Sequence, residues 1–296
     1  MTPTCSIIIR TLNESRYLGE LLEQIDQQTY PAPCREVVVV DSGSEDGTLA
    51  IAKKHGCKIE TISREDFSFG RSLNLGCDSA RGDFLVLISG HCVPTDSNWL
   101  WNLLLPFHEQ EVAVTYGRQI GGPSSKFSEK CLFEKYFPLA GDGSHQAEFF
   151  CNNANSAFRR LNWAAYRFDE EVTGLEDMQL AQILVNQGAK VRYVSSAAVV
   201  HHHHEMWRQV MRRYEREAIA LRRIMPEIHV HWHDALRYFA AGVMGDSARA
   251  ISQREFLSLC GEIFVFRFCQ FYGAWKGNHH HRKLSKREKD KYFYPN

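Results

Sequence analysis

Residues 5–48 read CSIIIRTLNESRYLGELLEQIDQQTYPAPCREVVVVDSGSEDGT, and their pattern indicates the fold class of the chain. Its apolar runs at 5–10 and 36–41 are rich in β-branched residues, which predicts two buried strands. Between them, residues 14–28 repeat apolar side chains at helical spacing, which predicts a crossover helix. The stretch is therefore expected to form a β-α-β unit with two parallel strands in one sheet.

The same alternation continues as far as residue 89. Residues 46–56 and 70–81 predict helices, and residues 58–63 and 84–89 predict strands. This order is typical of an α/β fold whose mostly parallel central sheet is flanked by helices, and ligands then bind beyond the carboxyl ends of the strands. The residues expected at those ends are Arg10, Thr11, Asp41, Ser42, Ser89 and His91.

Beyond residue 110 the pattern mixes strands and helices before it becomes helical. A strand and turn are predicted at 112–122, and a strand that enters a helix at 149–160. A helix is predicted within 172–188, and a last strand at 190–200. From residue 206 onward the pattern is helical and rich in arginine. We therefore expect an α/β domain of residues 1–205 followed by a helical, basic C-terminal extension of residues 206–296.

Composition limits the classes of function. The 296 residues are 44% hydrophobic, and 35 basic residues balance 35 acidic ones, so the overall charge predicts no nucleic-acid partner. Nine cysteines without a CxxC pair and a start without a signal-peptide pattern indicate reduced thiols in the cytoplasm. The longest apolar run, 256–275, contains Glu262 and Arg267, so no membrane span is predicted.

An acidic residue closes the second predicted strand and is followed by a tight turn, SGSEDGT at 42–48. Asp41 in that place can hydrogen-bond a nucleoside. The competing interpretation is an ordinary strand-to-helix turn that is capped by Asp46. A dinucleotide-binding fold is disfavoured, because the first strand leads into RTLNES rather than G-x-G-x-x-G.

Four ordered motifs carry a family resemblance. They read SIIIRTLNE (6–14), VVVVDSGSEDGT (37–48), GRSLNLGCDSARGDFLVLISGHCVP (70–94) and GLEDMQLAQIL (174–184). In this order and spacing the chain resembles the family 2 glycosyltransferases of GT-A fold over residues 5–205. Within the family it is most similar to bacterial enzymes that build surface polysaccharides such as capsule or O-antigen, including rhamnosyltransferases.

The resemblance implies a set of donor-binding residues. It assigns contacts with the nucleoside of a nucleotide-sugar to Arg10, Thr11, Glu14 and Asp41. It assigns contacts with the nucleotide or phosphate to Arg71 and Asn74. An asparagine-rich segment with Asn153 and Arg159 lies where contacts with the acceptor are expected, although such a segment is equally typical of a capped helix start.

The end of the fourth strand departs from the family pattern. Family members carry a D-x-D-type acid pair there that holds a divalent cation, whereas this chain reads Ser89-Gly90-His91. Imidazole suits Mn²⁺ or Zn²⁺ better than Mg²⁺. We expect either a site for Mn²⁺ or a similar cation formed by His91 with His201 or His203, or no metal, with His91 and Arg71 neutralising the leaving diphosphate. A third interpretation is that His91 only closes the strand.

The carboxylates Glu176 and Asp177 begin a predicted helix. Transfer of a sugar requires a general base on the acceptor hydroxyl, and a carboxylate at a helix start can serve. Acidic residues are also favoured at helix N-termini by the helix dipole alone. The resemblance assigns the base to Asp177 and the orientation of the acceptor, or support of Asp177, to Glu176.

Three functions are therefore compared. The leading hypothesis is an inverting glycosyltransferase that moves a hexosyl or deoxyhexosyl group from a nucleotide-sugar to a glycan, in particular a lipid-linked one. Arginines and aromatic residues at 208–223 suggest peripheral binding to an anionic membrane on the cytoplasmic face. The alternative is a catalytically inactive nucleotide- or glycan-binding protein of the same fold. A zinc hydrolase is disfavoured because HEMWR at 204–208 lacks the second histidine of H-E-x-x-H.

Overall fold

The computed structural model describes residues 2–141 and 147–280. The chain divides into two compact units. The first comprises residues 1–122, 133–171 and 176–202, and the second comprises residues 123–132, 172–175 and the chain from His203 onward. The boundary expected after residue 205 lies close to the last of these junctions. Two short earlier segments also belong to the second unit, which the sequence pattern does not indicate.

The first unit contains one eight-stranded sheet with the order β3-β2-β1-β4-β7-β6-β8-β5. The strands are β1 Cys5–Thr11, β2 Arg35–Asp41, β3 Lys58–Thr61, β4 Phe84–Ser89, β5 Cys92–Pro94, β6 Val112–Gly121, β7 Asn155–Arg159 and β8 Lys190–His201. The pairings β1–β2, β1–β4, β2–β3 and β6–β8 are parallel, whereas β7 and β5 are antiparallel to their neighbours. The expected mostly parallel α/β sheet is therefore confirmed.

Helices follow the strands as the alternating pattern predicts. They are α1 Ser15–Asp26, α2 Thr48–Lys54, α3 Phe69–Ser79, α4 Trp99–Leu104, α5 Phe127–Tyr136, α6 Arg160–Tyr166 and α7 Glu176–Asn186. Helix α1 buries Leu18, Leu21, Leu22 and Ile25, which recur at the spacing of one helix face. The apolar periodicity of the sequence thus determines which side of the helix packs on the sheet.

The core lies on both faces of the sheet. Successive residues of β1 belong to different apolar clusters, with Ile7 and Ile9 in one and Ile8 in the other. Side chains alternate between the two faces of a strand, so an uninterrupted β-branched run requires apolar cover on each side. This burial leaves the strand ends as the places where polar side chains of the sheet can meet a ligand.

The second unit contains three long helices, α8 Trp207–Ile224, α9 Trp232–Ser252 and α10 Phe256–Asn278. Helices α8 and α10 bury Val210, Phe266 and Cys269 together. A Cβ atom at Gly277 would lie 2.1 Å from the carbonyl oxygen of Glu215, so only glycine allows the two helices to approach this closely. In the described ranges, every helix is too short or too polar to cross a membrane. Residues 281–296 of the expected extension lie outside the described residues.

Candidate active site

The carboxyl ends of three parallel strands meet at one edge of the sheet. Thr11 at the end of β1 pairs in register with Asp41 at the end of β2, and Arg10 pairs with Ser89 at the end of β4. The polar residues that the sequence places after separate strands are therefore neighbours in space. This edge is the expected position for a ligand in an α/β sheet.

Asp41 organises the loop that follows β2. Its Oδ1 accepts hydrogen bonds from the backbone N–H groups of Gly43 and Ser44 at 2.9 and 2.8 Å, and its Oδ2 accepts one from Thr11 Oγ1 at 3.0 Å. Gly43 has φ of 98°, a conformation in which a side chain is strained. Because Asp41 is only 1% exposed, the observed role of its carboxylate is to shape the loop. Contact of Asp41 with a nucleoside stays a prediction.

The loops after β1 and β2 are joined by hydrogen bonds. Asn13 donates its backbone N–H to Ser44 Oγ at 2.8 Å, and its side-chain oxygen accepts from the backbone of Glu45 at 2.9 Å. Burial acts to raise the pKa of Asp46, but hydrogen bonds from Thr48 and Ser15 outweigh it and lower the pKa to about 2. The two loops therefore form one continuous polar surface beside the strand ends.

Glu176 and Asp177 lie side by side at the start of α7, and both are almost completely buried. Asn153 contacts both carboxylates, since its backbone N–H donates to Asp177 Oδ2 at 2.6 Å and its Nδ2 donates to Glu176 Oε1 at 3.2 Å. Leu175, directly before them, has φ of 57°, which is unusual for a bulky residue. Strained backbone of this kind is concentrated at functional sites.

The raised pKa of Asp177 suits acid–base chemistry near neutral pH. Burial and then the neighbouring charge of Glu176 raise the pKa of Asp177 to about 7, against the opposing effects of backbone N–H groups and Arg10. Arg10 Nη1 lies 3.5 Å from Glu176 Oε1. A general base works best when its pKa lies near the operating pH. Asp177 meets that condition, whereas an exposed aspartate does not.

Two histidines lie together at the same edge. The rings of His91 and His201 stack with centroids 5.1 Å apart. Nδ1 of His91 lies 2.7 Å from Glu14 Oε1, and Nδ1 of His201 lies 2.7 Å from Gln119 Oε1. Each ring is thus oriented by an oxygen atom of a neighbouring side chain, as is usual for histidines with a chemical task.

The strand pairing explains how these histidines meet. Cys92 of β5 pairs with His201 at the end of β8, so His91, the residue before β5, lies beside His201. At Gly90 an added Cβ atom would lie 3.0 Å from the side chain of Glu14, so a larger residue would crowd the partner of His91. The sequence Ser89-Gly90-His91 therefore turns the chain tightly while it keeps His91 against Glu14.

His91 and His201 fit a cation that accepts nitrogen ligands. With Nδ1 of each ring engaged by an oxygen, Nε2 is the nitrogen through which either ring could ligate a metal. A donor set of imidazoles is suited to Mn²⁺ or Zn²⁺ and poorly suited to Mg²⁺, which prefers oxygen. The residues in the first unit are thus compatible with the expected Mn²⁺-type cation.

The comparisons with known proteins identify the family. The model of Glycosyl transferase family 2 matches residues 6–163, which is more than half of the chain. The chain belongs to glycosyl transferase family 2. The resemblance carried by the four sequence motifs is therefore confirmed, and the protein is a glycosyltransferase.

Relatives of this glycosyltransferase include enzymes of surface polysaccharides. It is 28% identical over 223 residues to the O-antigen chain rhamnosyltransferase RfbN of Salmonella typhimurium, covering 71% of this chain and 69% of that protein. It is 26% identical to WbaN of Salmonella anatum, another O-antigen chain rhamnosyltransferase, covering 72% and 70%.

Solved glycosyltransferase structures share the fold. The mannosyltransferase PcManGT of Pyrobaculum calidifontis, solved with GDP-Man and Mn²⁺, superposes with a TM-score of 0.68 at 17% identity, covering 95% of this chain and 89% of that one. TarS of S. aureus, solved with UDP-GlcNAc, gives 0.52 at 16% identity, covering 94% and 93%. The GT-A fold expected from the sequence is thereby confirmed.

His203, predicted to bind a metal, and Arg71, predicted to bind phosphate, each contact an acidic side chain in the structure. His203 belongs to the second unit, where its Nδ1 lies 2.7 Å from Glu129, and Arg213 Nη2 lies 2.5 Å from the same carboxylate. Burial acts to raise the pKa of Glu129, but contacts with His203 and Arg213 lower it to about 2. Arg71 pairs with Glu170 at 2.8 Å. Metal binding by His203 and phosphate binding by Arg71 stay predictions.

The donor contact assigned to Asn74 stays a prediction, and the structure gives its amide other partners within the protein. Its side chain is buried, and Nδ2 donates to the carbonyl of Phe168 and to Glu170 at 2.9 and 3.0 Å. Its Oδ1 accepts from Trp163 Nε1 and from the backbone N–H of Phe168, each at 3.1 Å. Because all four hydrogen-bonding positions of the amide are used within the protein, Asn74 holds the chain before Glu170 in place.

The acceptor contact assigned to Arg159 stays a prediction, and the structure places this residue away from the strand ends that form the site. Strand β7 runs antiparallel to β4, so Arg159 pairs with Phe84 at the amino end of β4, whereas Asn155 pairs with Ile88 near the site. The guanidinium of Arg159 donates to the carbonyls of Val112, Phe107 and Glu109 at 2.6 to 2.9 Å. Its role is to hold the chain segment before β6.

The first prediction tests this structural role of Arg159. Arg159→Met keeps the apolar stem but leaves three carbonyl groups without their donor, so we expect the free energy of unfolding to fall by about 1–3 kcal/mol. Turnover of the folded enzyme should be unchanged. Denaturant unfolding measures the first effect, and Arg167→Met, which breaks the exposed Arg167–Asp78 pair, is the control with a loss below about 1 kcal/mol. A specific rise in acceptor KM for Arg159→Met would restore the acceptor role.

Two contributors to the site, Gln119 and His202, are absent from the predicted set of site residues. Gln119 is a polar residue inside β6 and holds His201, and His202 stacks on Tyr17 of α1 with centroids 4.2 Å apart. Strand β6 was predicted, but nothing in its sequence says which buried polar residue would meet the histidine. The run of histidines at 201–204 is the signal that could have indicated a partner on a neighbouring strand.

Proposed function

We propose that this family 2 glycosyltransferase moves a sugar from a nucleotide-sugar to a hydroxyl of a glycan in one displacement that inverts the anomeric carbon. The O-antigen rhamnosyltransferase relatives support a deoxyhexose as the sugar and a surface polysaccharide as the product. As part of the same proposal, the acceptor is a glycan carried on a lipid, and transfer takes place on the cytoplasmic face of the plasma membrane.

The single observation that carries the proposal is the buried carboxylate pair. Asp177 has a pKa raised to about 7 and is held at fixed orientation by Asn153 and by the helix start. In an inverting displacement one base removes the proton of the attacking hydroxyl, and the sugar carbon exchanges the leaving diphosphate for that oxygen. Asp177 supplies the base, and Glu176 with Arg10 sets the charge beside it.

The donor occupies the strand ends in this proposal. The joined loops after β1 and β2 present Thr11 and the Asp41 turn to the nucleoside, and Arg10 and His91 face the diphosphate. Negative charge grows on the leaving diphosphate as the glycosidic bond breaks, so cationic or donating groups aimed at it act mainly in the transition state. His91 is oriented for this task by Glu14, which is therefore a positioning residue rather than a direct nucleoside ligand.

A divalent cation fits the same position. His91 and His201 would hold it, and it would supply positive charge to the diphosphate. The structure of PcManGT, solved with GDP-Man and Mn²⁺, supports a cation of that kind. The imidazole donors favour Mn²⁺ over Mg²⁺.

The pH dependence of turnover is the experiment that tests the base. Because the pKa of Asp177 is raised to about 7, the carboxylate is ionised above that pH and protonated below it. We expect kcat to rise about tenfold per pH unit below about pH 7 and to level off above it. Nucleotide release from a panel of nucleotide-sugars with a glycan acceptor gives the profile. A flat profile between pH 5 and about 8, with chemistry shown to be rate-limiting, would contradict the assignment.

An inactive binding protein is the second candidate. Burial of two adjacent carboxylates, one of them with a strongly raised pKa, destabilises a fold and serves no purpose in a protein that only binds. This observation favours an enzyme. Nucleotide affinity without release of nucleotide, for every donor and acceptor tried, would favour the binding protein.

A further inference from the structure

An apolar groove runs between α9 and α10 of the second unit. It has a volume of about 340 Å³ and includes Trp232, Phe239, Phe264, Phe268, Tyr272 and Trp275 among its lining residues. All of its lining side chains are aromatic or aliphatic. A site for a polar ligand needs several converging polar groups, so the chemistry of this groove is that of a hydrocarbon.

The apolar side chains of the groove face outward. Trp232 is 68% exposed, Leu236 58%, Phe264 54% and Phe268 49%. Exposed apolar residues that occur singly need no explanation, but a contiguous group of this size marks an interaction surface. Tryptophan and tyrosine at such a surface are typical of the boundary between lipid and water.

Polar groups hold the two helices together from inside. Arg267 of α10 donates two hydrogen bonds to the carboxylate of Asp246 on α9, both at 2.7 Å, and a third to Gln270 at 2.7 Å. Arg267 and Asp246 are both buried. Helices α9 and α10 form a helical hairpin, which thus has its ion pair inside and its aromatic residues outside. This is the reverse of the usual pattern in water.

The part of the sequence that contains α9 and α10 has an excess of basic residues. From His203 onward the sequence has 17 lysines and arginines against 10 aspartates and glutamates, although the whole chain is neutral. On the hairpin, Arg237 and Arg254 are exposed, against Glu255. The sequence of residues 281–296, which follows α10 directly, has six basic residues against two acidic ones. An anionic surface complements this charge.

The arginines of α8 are not the main basic surface that the sequence suggested. Arg213 contacts Glu129 and Glu205, and Arg222 donates to the carbonyl of Asn278. Of the six arginines between residues 208 and 223, only Arg208 and Arg223 are exposed. The face available to a lipid surface therefore lies on α9 and α10.

We propose that the outer face of α9 and α10 docks on a bilayer that contains anionic phospholipids. The groove side chains enter the acyl region, and the basic residues remain at the headgroups. The inference rests on the proposed function in one respect, since a lipid-linked acceptor gives the docking its purpose. A second copy of this chain is a poorer occupant, because a symmetric pairing of this face would set its exposed arginines against a surface of the same positive charge.

Vesicle binding of the full chain tests the surface. Leu236→Asp with Phe268→Asp places two charges on the groove face, and we expect at least about tenfold weaker sedimentation with vesicles of phosphatidylcholine and 30% phosphatidylglycerol. Leu161→Asp is the matched control, since Leu161 is 83% exposed on α6 of the first unit and should leave binding unchanged. Pure phosphatidylcholine vesicles should bind all three proteins weakly. Equal loss in the control and in the groove variant would overturn the proposal.

A second measurement avoids variants that fold poorly. Brominated acyl chains quench tryptophan at the depth of the acyl region, and Trp232→Phe keeps the groove apolar while it removes one exposed indole. We expect quenching in the wild type and a clear loss in Trp232→Phe. No quenching in the wild type would overturn the proposal. The proposal would also be overturned if the wild type failed to bind vesicles and light scattering showed a dimer that the two groove substitutions dissociate.

Transfer to a soluble acceptor analogue separates this inference from the proposed function. The groove variant should keep wild-type turnover on that analogue, since neither residue belongs to the site of the first unit. Vesicle binding without any transfer activity would contradict the proposed function alone. Transfer activity without groove-dependent vesicle binding would contradict the docking surface alone.

Discussion

Asp177→Asn is expected to lower kcat by about 10²–10⁴-fold while the nucleotide-sugar still binds. The amide keeps the shape of the side chain but cannot accept the proton of the acceptor hydroxyl. The residual rate should also lose the rise with pH near 7 that the wild-type enzyme shows. Stopped nucleotide-release assays give kcat, and calorimetry gives the donor affinity.

The same substitution has a signature in stability. The pKa of Asp177 is raised from the ordinary value near 4 to about 7 in the fold, so the native state retains a proton that the unfolded chain releases. The contribution of Asp177 to the free energy of unfolding of the wild type therefore falls as pH rises from about 4 to about 7. The Tm of Asp177→Asn relative to wild type should increase over that window, whatever constant loss the amide causes.

Asp78→Asn is the control for a change of charge alone. Asp78 forms an exposed pair with Arg167, so its substitution should leave kcat and the pH profile unchanged. Glu176→Gln should have an intermediate effect, because it removes the charge that helps to raise the pKa of Asp177. Near-wild-type turnover of Asp177→Asn in a folded protein would exclude Asp177 as the base.

His91→Ala is expected to lower kcat by about 10²–10³-fold, with a much smaller change in donor affinity. The imidazole faces the position where the leaving diphosphate gains charge, so its contribution is larger in the transition state than in the bound donor. Glu14→Gln should cost less, about 10- to 100-fold, because Glu14 acts by orienting the ring. The exposed His108, outside the site, provides the control His108→Ala.

His91→Asp distinguishes the two chemical roles of the ring. A carboxylate there would face Glu14, whose Oε1 lies 2.7 Å from the present ring nitrogen, and would repel both Glu14 and the diphosphate. Without a cation the variant should be less active than His91→Ala. If a cation binds at this position, added Mn²⁺ should restore part of the activity of the aspartate variant. Wild-type kinetics of His91→Ala, in chelator and in added Mn²⁺ alike, would leave the histidine without a chemical role.

The alternation of strands and helices in residues 5–89 could be predicted from the sequence. Buried parallel strands need uninterrupted β-branched runs, and their helices need one apolar face. Strands β1, β2 and β4 and the residues at their ends followed from this periodicity. The direction of β7 did not, since a short apolar strand has the same pattern in either direction. Arg159 is assigned to the acceptor because it lies between the donor and base motifs in the sequence, whereas the antiparallel pairing puts it at the opposite edge.

The site was predictable where chemistry depends on residue type and not where it depends on contacts. The adjacent acids Glu176 and Asp177 are visible in the sequence, but the backbone N–H of Asn153 that anchors Asp177 is not. Glu14 was assigned to the nucleoside, whereas the structure pairs it with His91 across 77 residues. Asn74 lies in a family motif, and only the structure shows that its amide is used by Phe168, Glu170 and Trp163.

The anomeric configuration of the product shows whether transfer occurs by a single displacement. One displacement with Asp177 as base requires that the anomeric carbon of the transferred sugar be inverted, because the acceptor oxygen enters opposite the leaving diphosphate. NMR of the purified product, with the one-bond C–H coupling at the anomeric carbon compared with that of the donor, gives the answer. We expect the product to have the anomeric configuration opposite to that of the donor. A product with the configuration of the donor would contradict a single displacement with Asp177 as base.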